Sequence, residues 1–71
     1  MQAGDLAAIT SWTRIADAIN CRIYIGFAER GEIVLILGRS ESDNWYMRAV
    51  HPRLGLCQVF SAKLIPYREA T

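Results

Sequence analysis

Apolar positions in this chain fall into short runs separated by polar breaks, and the spacing within the runs is that of β-strands. The clearest pair is Gly31-Glu32-Ile33-Val34-Leu35-Ile36-Leu37-Gly38 and Trp45-Tyr46-Met47-Arg48-Ala49-Val50. Both are short and rich in β-branched or aromatic residues, which favours strand over helix. The connector Arg39-Ser40-Glu41-Ser42-Asp43-Asn44 is wholly polar and reads as a solvent loop. Alternation puts Val34 and Ile36 on one face, with Ile33, Leu35 and Leu37 on the other. A run so nearly all apolar predicts that both faces are at least half covered.

The same period extends in both directions. Arg22-Ile23-Tyr24-Ile25-Gly26-Phe27 alternates, with Ile23, Ile25 and Phe27 sharing a face. Ala28–Gly31 turns the chain, and Gly31 suits the positive φ that such a turn needs. After Trp45–Val50, His51-Pro52-Arg53-Leu54-Gly55 reads as a reverse turn and Leu56–Phe60 as another strand. Ser61-Ala62-Lys63 has room for one tight turn. Leu64-Ile65 is a closing stub, which Pro66 keeps from serving as a central strand. Residues 1–20 leave two readings open. Asp5 could cap a helix carrying Leu6, Ile9, Trp12, Ala16 and Ile19 on one stripe. Alternatively Leu6–Ile9 is a first strand and Thr13–Arg22 a long irregular loop, which the β-branched Ile9, Thr10, Thr13, Ile15 and Ile19 favour. Five or six short strands with hairpin-like links predict a small all-β barrel or sandwich.

Composition narrows the function classes. Seventy-one residues make one domain, with a core over about residues 6–66, and 52% of them are hydrophobic. A chain this small buries only about 60% of its unfolded surface, so an apolar face covered by a partner is one expectation. Eight basic and seven acidic residues argue against a module held mainly by nucleic-acid phosphates. Cys21 and Cys57 lack CxxC spacing, and one histidine cannot complete a metal quartet. Both cysteines are expected to be reduced, and no cofactor or metal is expected. No signal-peptide pattern and no run of about 20 apolar residues occurs, so a membrane span is not expected and a cytoplasmic location is. His51 beside Pro52 reads as a solvated loop residue. The serines lack a base, the carboxylates lack acid–base pairing, and the glycines form no phosphate cradle. An enzyme is therefore not expected.

Two tryptophans stand out, since indoles are enriched where surfaces bind partners. Trp12, near the front loop, is either a core plug or a binding residue. Trp45, at the start of a strand after a charged loop, reads as a rim residue available to a partner.

With these residues in view, the chain resembles the Src-homology-3 (SH3) family over about residues 8–66. Ala8-Ile9-Thr10-Ser11-Trp12 resembles the A-L-Y-D-Y motif. Ile25-Gly26-Phe27, with Gly31-Glu32, resembles the next conserved strand. Glu41–Trp45-Tyr46 resembles the acidic loop and aromatic pair, the most specific match, and Phe60–Pro66 occupies the place of P-S-N-Y-V-x-P. The resemblance favours a strand near Ile9 and implies an SH3-type barrel of five short strands with a long first loop. It also implies a non-catalytic module that binds Pro-rich, polyproline-II segments in an aromatic groove. Residue by residue it assigns the ligand-binding site to Trp45, Trp12, Phe60 and Thr10. Glu41, Asp43 and Asp17 would attract a ligand Lys or Arg. Thr10 stands where a groove tyrosine is usual, Phe60 replaces the groove proline, and Lys63 replaces a second tyrosine. A groove so altered implies weak binding of a Pro-rich segment, or docking of a folded partner or adjacent domain. The alternatives are an SH3-like barrel serving as a nucleic-acid-binding subunit, its arginines gathered on one face, or a structural homodimer.

Overall fold

The computed structural model describes residues 1–70 and is all-β apart from two short helical turns. The strands are β1 (Leu6–Ile9), β2 (Thr13–Asp17), β3 (Tyr24–Ala28), β4 (Ile33–Arg39), β5 (Tyr46–His51), β6 (Gly55–Phe60) and β7 (Leu64–Pro66). A 3₁₀ turn at Ser61–Lys63 leads into β7, and a single helical turn, Tyr67–Ala70, follows it. The front of the chain is strand, not helix, and β1 has the bounds of the strand reading.

All seven strands join one antiparallel sheet in the order β3-β2-β6-β5-β4-β1-β7. Two expectations are corrected here: there are seven strands rather than five, and the sheet is open rather than closed into a barrel. The additional strand at the front is β2, in the stretch expected to be irregular loop. Thr13 and Ile15 are buried on either side of exposed Arg14, so the segment has its own period-two pattern. Its link to β3 is a tight one. Asp17 Oδ2 accepts the backbone N–H groups of Ile19 and Asn20 at 2.9 and 3.0 Å, and Asn20 Oδ1 accepts that of Arg22 at 3.0 Å. Backbone donation to a carboxylate favours its charged form, and the Asp17 pKa is lowered by these two bonds. The Gln58 side chain then pins the loop by donating Nε2 to the carbonyls of Asp17 and Ala18 at 2.9 and 3.3 Å. The two sheet edges are β3 and β7. At the β7 edge Pro66 has no N–H to offer a further strand.

The open sheet still curls around one core. The buried cluster takes Ala7 and Ile9 from β1, Ile15 from β2, Ala28 from β3, Val34 and Ile36 from β4, Met47 and Ala49 from β5, Cys57 and Val59 from β6, and Leu64 from β7. Both edge strands therefore contribute to it. Val34 and Ile36 face inward as their alternation requires, while Leu35 on the opposite face is 37% exposed. Gly31 has φ +93°, and its N–H donates to the carbonyl of Ile9 at 2.8 Å. That backbone region strains any side chain with a Cβ.

His51 departs most from its sequence reading. It ends β5 and is 2% exposed rather than solvated. Its Nδ1 accepts the backbone N–H groups of Arg53 and Leu54 at 3.1 and 3.2 Å, closing the β5–β6 turn. An acceptor at Nδ1 places the ring proton on Nε2, which lies 2.6 Å from Glu32 Oε1. Arg53 Nη2 reaches the same oxygen at 3.1 Å and the Phe27 carbonyl at 3.1 Å. This network ties the end of β3, the start of β4 and the β5–β6 turn together.

Candidate functional site

The outer face of the β5–β6 ladder follows from its register. Tyr46 pairs with Phe60, Arg48 with Gln58, and Val50 with Leu56. Since Met47, Ala49, Cys57 and Val59 point into the core, these intervening pairs point away from it. One end of the ladder carries two aromatic rings, Tyr46 edge-on to Phe60 with centroids 5.7 Å apart.

Other segments bring further rings to that end. Trp45 stacks on Phe60 at 6.5 Å and 22°, while remaining 68% exposed. Its position is held from both sides of the backbone. Asp43 Oδ1 accepts the Trp45 N–H at 2.8 Å, and the Trp45 carbonyl accepts the Ser61 N–H at 2.8 Å. Across from them lie Trp12, just before β2, and Tyr24 at the start of β3. Trp12 is 52% exposed and stacks on Phe27 at 6.1 Å and 24°. Trp12, Tyr24, Tyr46 and Phe60, with Thr13, Arg14 and Lys63, line an open groove of about 360 Å³. Rings stacked on one another present flat apolar faces and little side-chain entropy to lose.

The groove's polar groups are as specific as its rings. The Arg14 guanidinium lies over the Tyr24 ring, 5.2 Å from its centroid, a cation–π arrangement. Lys63 Nζ donates to Ser11 Oγ at 2.9 Å. The Tyr46 phenol has a raised pKa, first from burial, then from the neighbouring Tyr24 hydroxyl, Cys21 thiol and Asp43 carboxylate. Cys21 is half-buried, with its thiol 3.8 Å from Asp43 Oδ2.

Of the residues named from the sequence, Trp12 and Phe60 meet in this groove, and Trp45 stacks against it. Thr10 does not: it lines a separate hollow with Ile9, Arg30 and Ile65, and its N–H donates to the Lys63 carbonyl at 2.9 Å. Glu41 lines another hollow of about 330 Å³, over Arg48 and Gln58. Asp17 and Asp43 bond backbone N–H groups in their own loops. The three acids thus do not gather on the groove. Tyr24 and Tyr46, which do line it, went unnamed as site residues. Each begins its strand, and each was legible as a strand residue from the alternation. What brings them together is the order of strands across the sheet.

At the far end of the same face the register joins Leu6 to Leu35, Leu35 to Val50, and Val50 to Leu56. These four side chains are 47, 37, 36 and 50% exposed and form an apolar stripe across four strands. Among the described residues no group of three or more His, Cys, Asp or Glu side chains could hold a metal ion. No helix there is long and apolar enough to cross a membrane. No protein-family model matches the chain, and neither a curated protein nor a solved structure matches it.

Proposed function

We propose that this chain is a non-catalytic interaction module of SH3 type, taking an extended, Pro-rich segment of another protein into the groove between Trp12, Tyr24, Tyr46 and Phe60. The observation that carries the reading is the convergence of four aromatic side chains from separate segments on one open groove, beside an indole that is 68% exposed. Such exposure of the largest apolar side chain contributes little to folding and is available to a ligand. Polyproline-II segments are already extended and lose little entropy on docking to flat rings. Tyr24 and Tyr46 supply ring faces that Thr10 and Lys63 do not, so the altered motif is compatible with a groove built from other strands. The SH3-type assignment rests on the motif resemblance, and the open seven-stranded sheet departs from the five-stranded barrel that the resemblance implies. The test is a chemical-shift titration with a pool of Pro-rich peptides. The indole N–H signals of Trp45 and Trp12 should move, and Trp45→Ala should abolish the response while leaving the unfolding free energy within about 0.5 kcal/mol of the parent. Unfolding of that variant, or no shift at either indole, would refute the reading.

A second reading, a structural subunit that pairs with a copy of itself, is favoured by the Leu6–Leu35–Val50–Leu56 stripe. Concentration-dependent sedimentation would support it, and a constant monomer mass would remove it.

A further inference from the structure

The charged side chains that line the aromatic groove are Arg14 and Lys63, and no carboxylate lines it. Neither cation meets a carboxylate among the described residues. Glu32 is taken by the His51 hydrogen bond and the Arg53 ion pair. Arg14 is exposed, and its guanidinium lies over the Tyr24 ring, 5.2 Å from its centroid, with five N–H donors to offer a ligand. Lys63 Nζ has one partner, Ser11 Oγ, and an ammonium has three donors. Asp17 ends β2 at the β2–β3 loop, where it accepts two backbone N–H groups. Asp43 is the acid that acts on the groove, through the Tyr46 phenol, but it does not line it and stands as one charge against two cations. The Tyr24 ring covers one side of the Arg14 guanidinium, which strengthens a charge contact made there.

We infer that the segment taken by this groove carries an acidic side chain, whose carboxylate is received between Arg14 and Lys63. The groove would thus select for negative charge, the opposite of the Lys or Arg preference that the loop acids suggest. The inference rests on the groove reading given above. Its test uses three short fluorescein-labelled peptides with one Pro-x-x-Pro core, flanked by Glu, Gln or Lys, titrated with the full chain and read by anisotropy. The Glu peptide should bind about five- to tenfold tighter than the Gln peptide, the scale of two partly exposed ion pairs, and the Lys peptide weakest. High salt should remove the difference. Arg14→Gln with Lys63→Gln should bring Glu and Gln peptides to equal affinity. Arg14→Gln alone, at an exposed position, gives a second reading if the double variant folds poorly, and should remove part of the difference. Equal binding of all three peptides, or tighter binding of the Lys peptide, would overturn the charge inference and leave the groove reading standing. Flat anisotropy with all three would remove the groove reading and the inference with it.

Discussion

Replacing His51 tests whether one buried imidazole holds three parts of the sheet together. In His51→Leu the side chain keeps much of its bulk and loses every polar contact. The N–H groups of Arg53 and Leu54 lose their acceptor, and Glu32 loses its 2.6 Å partner. The turn is partly exposed and water can replace the acceptor, so each lost bond should cost about 0.5–1 kcal/mol, the net worth of an ordinary hydrogen bond. Loss of the bond to the carboxylate should cost about 1.5 kcal/mol, because Glu32 keeps the Glu29 N–H and Arg53. The total is about 3 kcal/mol. A chain of this length has about 4–11 kcal/mol of stability, so the variant should lose between a quarter and three quarters of it. The assay is urea unfolding at neutral pH followed by far-UV circular dichroism. It should show a lower midpoint with an unchanged slope, and a melting temperature about 12–24 °C lower. His51→Asn separates the two roles. Its side-chain oxygen can occupy the place of Nδ1 and accept both turn N–H groups, but it cannot reach Glu32. It should recover about half of the loss. A His51→Leu variant within about 0.5 kcal/mol of the parent would refute the network, as expected for a solvated loop residue. Equal losses in the two variants would refute the turn-closing role of Nδ1.

Glu32 and the two thiols give further checks. The Glu32 pKa is lowered, chiefly by the Glu29 N–H and then, against the opposing effect of burial, by His51 and Arg53. A lowered carboxyl pKa means that the unfolded chain binds the proton more readily. The stabilisation is therefore complete above the ordinary glutamate range and is lost as pH falls through the lowered value. Glu32→Gln should flatten the loss of stability measured below about pH 4.5. Burial pushes the Cys57 thiol up to about 11, whereas Cys21 is half-buried. A thiol reagent at mildly alkaline pH should label Cys21 in the native protein and both cysteines in urea, since the thiolate is the reactive species. Two labelled thiols without denaturant would contradict the buried position of Cys57.

The strands were legible wherever alternation was local and strong. The turn Ser61–Lys63 stands where the pattern puts it, and β4 turns Val34 and Ile36 inward as expected. Leu6–Ile9 was open between strand and helix, and β-branched content with the motif resemblance favoured the strand that forms. Thr13–Asp17 was harder, because a five-residue strand carrying an arginine and an aspartate resembles a polar loop until Gln58 is seen pinning its end. Ile25 and Phe27 follow the period but are 39 and 47% exposed. Strand β3 is an edge, paired only with β2, and the sequence has no mark for which strand is last. Seven strands in an open sheet, rather than five closed into a barrel, follow from that same long-range order.

For the candidate site, the chain by itself determined that Trp45 follows a polar loop at the head of a strand, that Phe60 ends one, and that Trp12 lies near the front loop. Those are local facts, set by side-chain period and turn chemistry. Only the tertiary structure decided that Tyr24 and Tyr46 complete the aromatic walls, that Arg14 and Lys63 set the charge there, and that His51 is sealed against Glu32. Each of these contacts joins residues from different strands. Antiparallel pairing places residues that are distant in the chain side by side, and no local pattern records which neighbour the sheet will supply.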